Sequence, residues 1–229
     1  MDNQCDQCII RHFSSVTKFA EKKLIYSSYC EGIRSLKRGE VLFKEGQYIN
    51  GVFCIRSGVC KVSKMSVNGR NQIIKLIREG DLIGERSLIS EEPSNLQATA
   101  LNDIEVCFIP KEEIINDLKN DHDFTMNILK RLAVSLKEAD NLVADMAQKT
   151  VKQRLAETLL YLEKNFGKST YDPIDIRLSR EDIASLVGTA TESVIRWLSS
   201  FKRMGIIHLK GKEIYILKPN VLKHLAEGY

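Results

Sequence analysis

Apolar residues along this chain recur with two different periods. Between Gly39 and Ile109 they come in short runs: Val41-Leu42-Phe43, Gly51 to Ile55, Val59 to Val62, Ile73 to Ile77, Ala98 to Leu101 and Val106 to Ile109. Glycines at 39, 46, 51, 58, 69, 80 and 84 punctuate them. Many short strands with glycine turns and no helix between them predict a sandwich or barrel. Pro110 closes that unit. Beyond it, residues 111–146 take on a helical period. From Leu129 the apolar positions are Leu129, Leu132, Leu136, Ala139, Val143 and Met146, spaced alternately by three and four. Such a seam suits either a partner helix or the chain's own β-domain, and a partner helix in a dimer is the favoured reading. Ile128 and Leu142 flank the seam and are expected to pack on the β-domain.

Asp145 to Thr150 reads as a hinge. Val151 to Phe166 predicts a helix with Leu155, Leu159, Leu160, Leu162 and Phe166 turned inward. A loop with Gly167 and Pro173 follows. Leu178 to Leu198 then reads as two short helices joined by a tight turn. Ser179 and Asp182 form a capping box, and Gly188 supplies a left-handed stop. Ile183, Leu186 and Val187 share one face, as do Val194, Trp197 and Leu198. Ile206 to Leu209 and Glu213 to Leu217 predict a hairpin turning at Lys210-Gly211-Lys212, a wing placed to touch phosphate.

A helix-turn-helix lays its second helix in the major groove and reads bases through its first turns. Thr191, Glu192, Ser193 and Arg196 lie off the apolar face of that helix. Glu192 and Arg196 are four residues apart and project side by side. A carboxylate accepts from cytosine N4, and a guanidinium forks onto guanine O6 and N7. A blander reading stands beside this one: Thr189 and Glu192 as a capping box, and Glu192 with Arg196 as a surface ion pair.

The charge distribution agrees with nucleic-acid binding. Of 34 Lys+Arg and 30 Asp+Glu in 229 residues, residues 1–146 hold 20 and 21, a balance of −1; residues 147–229 hold 14 and 9, a balance of +5. The basic excess thus falls in the half that carries the helix-turn-helix. The polar start MDNQCDQC is no signal peptide, and no apolar run reaches the ~18 residues of a spanning helix. A cytoplasmic protein without a membrane is expected, its six Cys free thiols, metal ligands or redox groups more than disulfides. His12, His122, His208 and His224 are scattered, and no nucleophile–base motif or phosphate loop appears, so no enzyme is expected.

Three glycine-bearing stretches, Gly39-x-x-Leu42-Phe43-x-x-Gly46, Phe53-x-Ile55-x-x-Gly58 and Gly80-Asp81-x-x-Gly84-Glu85, form a β-roll signature. With Arg154-Leu155-Ala156, the helix-turn-helix and Gly211-Lys212, they make the chain resemble the Crp/Fnr family of bacterial transcription regulators. The resemblance spans nearly the whole chain and lies closer to the fumarate-nitrate branch than to the cyclic-AMP branch. It implies an α+β fold in four parts. A cysteine-bearing arm covers 1–15, and a cyclic-nucleotide-binding-type β-roll covers 16–110, beginning with a small helix at 16–32. A dimerisation helix region covers 111–146, and a winged helix-turn-helix covers 147–229. The resemblance further implies a homodimer on pseudo-palindromic double-stranded DNA, contact with RNA polymerase, and base reading by Glu192 and Arg196. Ile195 stands where the fumarate-nitrate branch carries Ser, which leaves the outer bases of the site open.

The effector is less defined. Gly84 and Glu85 match the ribose end of the family's ligand pocket, but Leu96-Gln97 stand where the phosphate-binding Arg pair belongs. A buried phosphate without its guanidinium is costly, so cyclic AMP is not expected. Cys5, Cys8 and Cys107 match three of the four cluster ligands of the fumarate-nitrate branch, with Ser14 in place of the fourth; an iron–sulfur cluster, zinc and plain structural cysteines all remain open. A regulatory nucleotide-binding module, or a redox or metal sensor whose output is not DNA binding, is the alternative function. The intact C-terminal winged helix argues against it.

Overall fold

The computed structural model describes residues 32–66, 69, 71–167 and 172–228. The arm at 1–15, with Cys5 and Cys8, and the helix expected over 16–32 fall outside the described residues, save Gly32.

The first compact unit, residues 1–134, is built on two four-stranded antiparallel sheets. One runs in the order β1 (Ile33–Leu36), β8 (Ile104–Pro110), β3 (Gly51–Ser57), β6 (Leu82–Ile83). The other runs β2 (Val41–Phe43), β7 (Gln97–Ala100), β4 (Val59–Met65), β5 (Asn71–Arg78). Side chains alternate across a strand, so the two faces of β3 and β8 are built from different residues. Phe53, Ile55 and Val106 meet Phe43, Cys60, Val62, Ile77, Ala98 and Ala100 of the second sheet in one core. Val52, Cys54, Cys107 and Ile109 face the other way. They pack on Leu88 of α1 (Glu85–Ser90), Ile114 of α2 (Lys111–Asn120), and Phe124 and Ile128 of α3 (His122–Gln148). Burial on both faces explains why these strands read as unbroken apolar runs.

The expected single helix over 111–146 is two helices. Asp121 ends α2 in extended backbone, and its Oδ1 accepts the Phe124 amide at 2.9 Å, which starts α3 afresh. The α3 helix then runs to Gln148, so the hinge shrinks to Lys149 and Thr150. The division between the compact units falls within α3, between Val134 and Ser135, rather than at that hinge.

The second unit, 135–229, continues with α4 (Val151–Phe166), α5 (Arg180–Val187), α6 (Thr191–Arg203), the hairpin β9 (Ile207–Lys210) and β10 (Glu213–Ile216), and α7 (Pro219–Glu227). Leu155, Leu159 and Leu162 are fully buried as expected; Leu160 and Phe166 are half-buried, and Ala156 takes a core place instead. Sequence periodicity left β1, β6, α1 and α7 unassigned.

Gly58 links β3 to β4 at φ +80°, and a Cβ there would stand 2.4 Å from the Asp103 carbonyl oxygen. Gly58→Ala combines a left-handed backbone with that clash. It should lower the stability of the roll on the order of 2–4 kcal/mol, read as a shifted urea midpoint with an unchanged slope.

Candidate nucleic-acid interface

The second helix of the helix-turn-helix, α6, is held by three sets of interactions. The first is α4, capped by Thr150 and Gln153 in a reciprocal box. Arg154, in its first turn, uses its whole guanidinium. Nη1 donates to the Lys149 carbonyl at 2.7 Å, Nε to Val187 at 2.9 Å, and Nη2 to Gly188 at 3.3 Å. The last two are orphan carbonyls at the end of α5, so a charged fork satisfies groups that the helix itself leaves open. Lys149 is tied beside it, its ammonium 2.8 Å from Asp145 and 2.7 Å from Glu157. Burial opposes its charge, but hydrogen bonds to these two carboxylates prevail and hold its pKa above the ordinary lysine value.

The second is α5 itself. Ser179 and Asp182 form the predicted capping box: the Asp182 amide donates to Ser179 Oγ at 2.9 Å, and the Ser179 amide donates to Asp182 Oδ2 at 3.2 Å. Gly188 stops the helix at φ 69°. The turn Gly188–Ala190 leads straight into α6. Its N-cap residue is Ala190, with no side-chain cap, so the Thr189–Glu192 capping box does not form. The third is the core beneath α6, where Ile183, Val187, Val194, Leu198 and Phe201 are buried, with Trp197 half-buried at 6.3 Å from the Phe201 ring.

Burying that face leaves the opposite one to solvent. Glu192, Ile195, Arg196, Ser199, Lys202 and Arg203 are all exposed, at the three- and four-residue steps of a single helix face. Glu192 and Arg196 form no ion pair with each other in the structure, so the blander reading of this pair fails on geometry too. Thr191 and Ser193 are half-buried and stand at the margin of the face.

The wing is placed as expected. Gly211 turns at φ 61° between exposed Lys210 and Lys212. Sequence reasoning missed its tether: Arg180, first residue of α5, donates from Nη2 to the Gly211 carbonyl at 3.0 Å. Burial alone lowers the pKa of this guanidinium from its ordinary value. A second pair, Arg177 to Glu213 at 3.3 Å, crosses from the loop to β10, and Tyr215 donates to the same carboxylate at 3.1 Å.

Of the other expected residues, Leu129, Leu136 and Val143 are exposed along α3 at 52, 65 and 71%. Ala139 is exposed too, and Met146 is half-buried. Leu132 packs against the core of the roll with Ile128, so it belongs at least in part to the chain's own interior. In the roll, Gly84 takes φ 105° at the start of α1, and Glu85 is only 8% exposed. Arg86 is exposed, and its guanidinium bonds the Asn95 side chain. Leu96 packs on the inter-sheet core, and the Gln97 amide bonds Thr99.

Cys107 lies on the helix-facing side of β8, opposite Cys54 in register. It is disulfide-bonded, and in that form offers no thiolate to a metal. Burial pushes the Cys60 thiol up to about 12, which keeps it protonated. Among the described residues, His, Cys, Asp and Glu nowhere gather in a group of three able to hold a metal ion.

A β-roll followed by a long helix and a winged helix-turn-helix defines a class of DNA-binding regulator, and sequence comparison agrees. The chain matches the cyclic nucleotide-binding domain over residues 33–121 and the Crp-like helix-turn-helix domain over 153–225. It is 29% identical to the transcriptional activator protein Anr of Pseudomonas protegens over 85% of this chain and 80% of that protein. It is 28% identical to the fumarate and nitrate reduction regulatory protein of Vibrio cholerae over 97% and 90%. Identity to the CRP-like cAMP-activated global transcriptional regulator of Mycobacterium tuberculosis is also 28%, over 78% and 81%. The fold is similar to that of FixK2 from Bradyrhizobium japonicum, with a TM-score of 0.77 at 23% identity over 85% of this chain and 96% of that one. The chain belongs to the Crp/Fnr family and is a DNA-binding transcription regulator. Among the described residues, no helix is long and apolar enough to cross a membrane.

Proposed function

We propose that the protein acts in the cytoplasm as a homodimer on a pseudo-palindromic DNA site, with Glu192 and Arg196 reading bases and Lys210 and Lys212 holding phosphate. The observation that carries this is the solvent face of α6. It presents the Glu192 carboxylate and the Arg196 guanidinium, exposed and one helical turn apart, on a helix whose other face is anchored. Such a pair reads a cytosine and a guanine on opposite strands. Thr191 and Ser193, at the margin, suit backbone contacts.

The second copy follows from α3. Leu129, Leu136 and Val143 repeat every seven residues on a helix that already buries Phe124 and Ile128 in its own roll. An exposed heptad stripe on a second face suits an identical helix, with Ala139 and Met146 filling the alternate positions. Contact with RNA polymerase is the output we assign, supported by the relatives named as activators.

For the roll, we propose an effector other than cyclic AMP, although one relative is named as cAMP-activated. Leu96 is committed to the core, Gln97 to Thr99, and the side chain of Arg86 to Asn95. A buried cyclic phosphate needs a guanidinium, and Leu96-Gln97 occupy the motif positions where the resemblance places it.

Each part has its test. Selection from random duplexes should return half-sites centred about one helical turn, roughly 34 Å, apart. Arg196→Ala should cost about 1–3 kcal/mol in specific binding and relax the preference at one base pair per half-site. Full discrimination by that variant would make Arg196 structural. Leu136→Glu places a charge against its symmetry mate, and sedimentation should show the dimer dissociation constant raised by about two orders of magnitude or more. An unchanged dimer would remove the stripe from the interface. Titration calorimetry with cyclic AMP should show no saturable heat; saturable micromolar binding would mean that another cation serves the phosphate.

A further inference from the structure

Arg180 stands at the first position of α5, where its charge does not suit the helix itself. The first turn of a helix favours anions, and the next two residues, Glu181 and Asp182, supply them. The side chain of Arg180 reaches instead to the tip of the wing, where Nη2 donates to the Gly211 carbonyl at 3.0 Å. Its Nη1 is buried and has no hydrogen-bond partner among the described residues. One end of the fork is spent on the wing and the other is closed to solvent, so the group is poorly placed to take a phosphate. The wing needs such a hold. Strands β9 and β10 are four residues each and form a two-stranded sheet of their own, which is marginal by itself. The base is anchored: Ile207, Ile214 and Ile216 are buried, and the Ile174 amide donates to the Ile214 carbonyl at 2.9 Å. The tip has no packing, because a Cβ on Gly211 would meet no atom within 4 Å, and Lys210 and Lys212 beside it are exposed.

We propose that Arg180 is a positioning residue for DNA binding, which holds the wing tip where Lys210 and Lys212 meet phosphate while α6 lies in the groove. The proposal rests on the reading of those two lysines as phosphate contacts. Four residues at about 3.3 Å each put the tip roughly 13 Å beyond the base of the hairpin. A pivot of about 15° at the base would then move both ammonium groups by about 3 Å, a whole hydrogen-bond length. A charge-assisted bond to the turn carbonyl removes that freedom. It does so from the helix that also sets α6, because α5 runs into α6 through the turn Gly188–Ala190. The lysines therefore contribute to binding only as far as Arg180 keeps them in place.

The test compares the full-length protein with Arg180→Met, with Lys210→Gln plus Lys212→Gln, and with all three changes together, each on the selected duplex across a range of salt. Removing both lysines should flatten the slope of log affinity against log salt by about 1.8 per wing. Arg180→Met should flatten it nearly as much with both lysines present, and weaken binding roughly tenfold. In the protein without the lysines, Arg180→Met should change affinity less than about twofold, since the two sites act as one. Arg180→Lys keeps one charged donor for the carbonyl and should recover part of the slope. The guanine preference set by Arg196 should persist throughout. A slope that Arg180→Met lowers by about one per protomer, with or without the lysines, would mean that Arg180 touches phosphate itself and overturns the proposal. So does an unchanged slope in Arg180→Met, which leaves the tether without effect. Loss of the guanine preference in that variant also overturns it, because Arg180 would then support the whole unit and not the wing. If removing the lysines leaves the slope unchanged, the wing does not bind phosphate, and the reading beneath the proposal falls together with it.

Discussion

Helix α3 carries two apolar faces, and only one of them finds its partner inside the described chain. Phe124, Ile128 and Leu132 complete the second core of the β-roll, against the outer face of the β3–β8 pair. Leu129, Leu136 and Val143 point elsewhere and stay largely exposed. A helix can satisfy both demands because residues seven apart return to nearly the same side, while those four or eight apart drift around the cylinder. The first face fixes α3 to the roll. The second has no cover among the described residues.

The DNA-binding unit solves a different problem, which is to hold α5 and α6 in a fixed relation to the hairpin. Its buried residues are medium-sized aliphatics and Phe201. Polar cross-links supply the rest. Arg154 joins the α3–α4 hinge at Lys149 to the end of α5, the point from which α6 departs. Arg180 joins the start of α5 to the tip of the wing. Both arginines donate to backbone carbonyls that helix ends and tight turns leave unsatisfied, where a charged donor is worth roughly twice a neutral one. The wing and the reading helix are thereby referred to the same short helix, α5.

Much of this was legible in the residues. The glycine-punctuated runs marked six strands near their observed places, because turns requiring positive φ select glycine and both-face burial demands unbroken apolar runs. Ser179-x-x-Asp182 and Gly188 fixed the ends of α5 through local chemistry, and Val151–Phe166 was readable to the residue from its period. The elements that escaped notice are short or mixed in pattern: β1, β6 and α1 are four, two and six residues long. They exist because a neighbouring strand or core accepts them, and that neighbour is distant in sequence.

The sequence by itself determined the order of elements, the apolar seam of α3 and the solvent face that Glu192 and Arg196 share, since each rests on spacing within a few residues. Tertiary structure decided how those residues are used. Asp121 became a cap that splits one expected helix into two; Leu132 was drawn toward the roll; Ala190, not Thr189, began α6. The Val187 and Gly188 carbonyls that Arg154 holds and the Gly211 carbonyl that Arg180 holds lie more than thirty residues away in sequence. Local spacing encodes which side chains share a face; only the packed chain settles which face is covered.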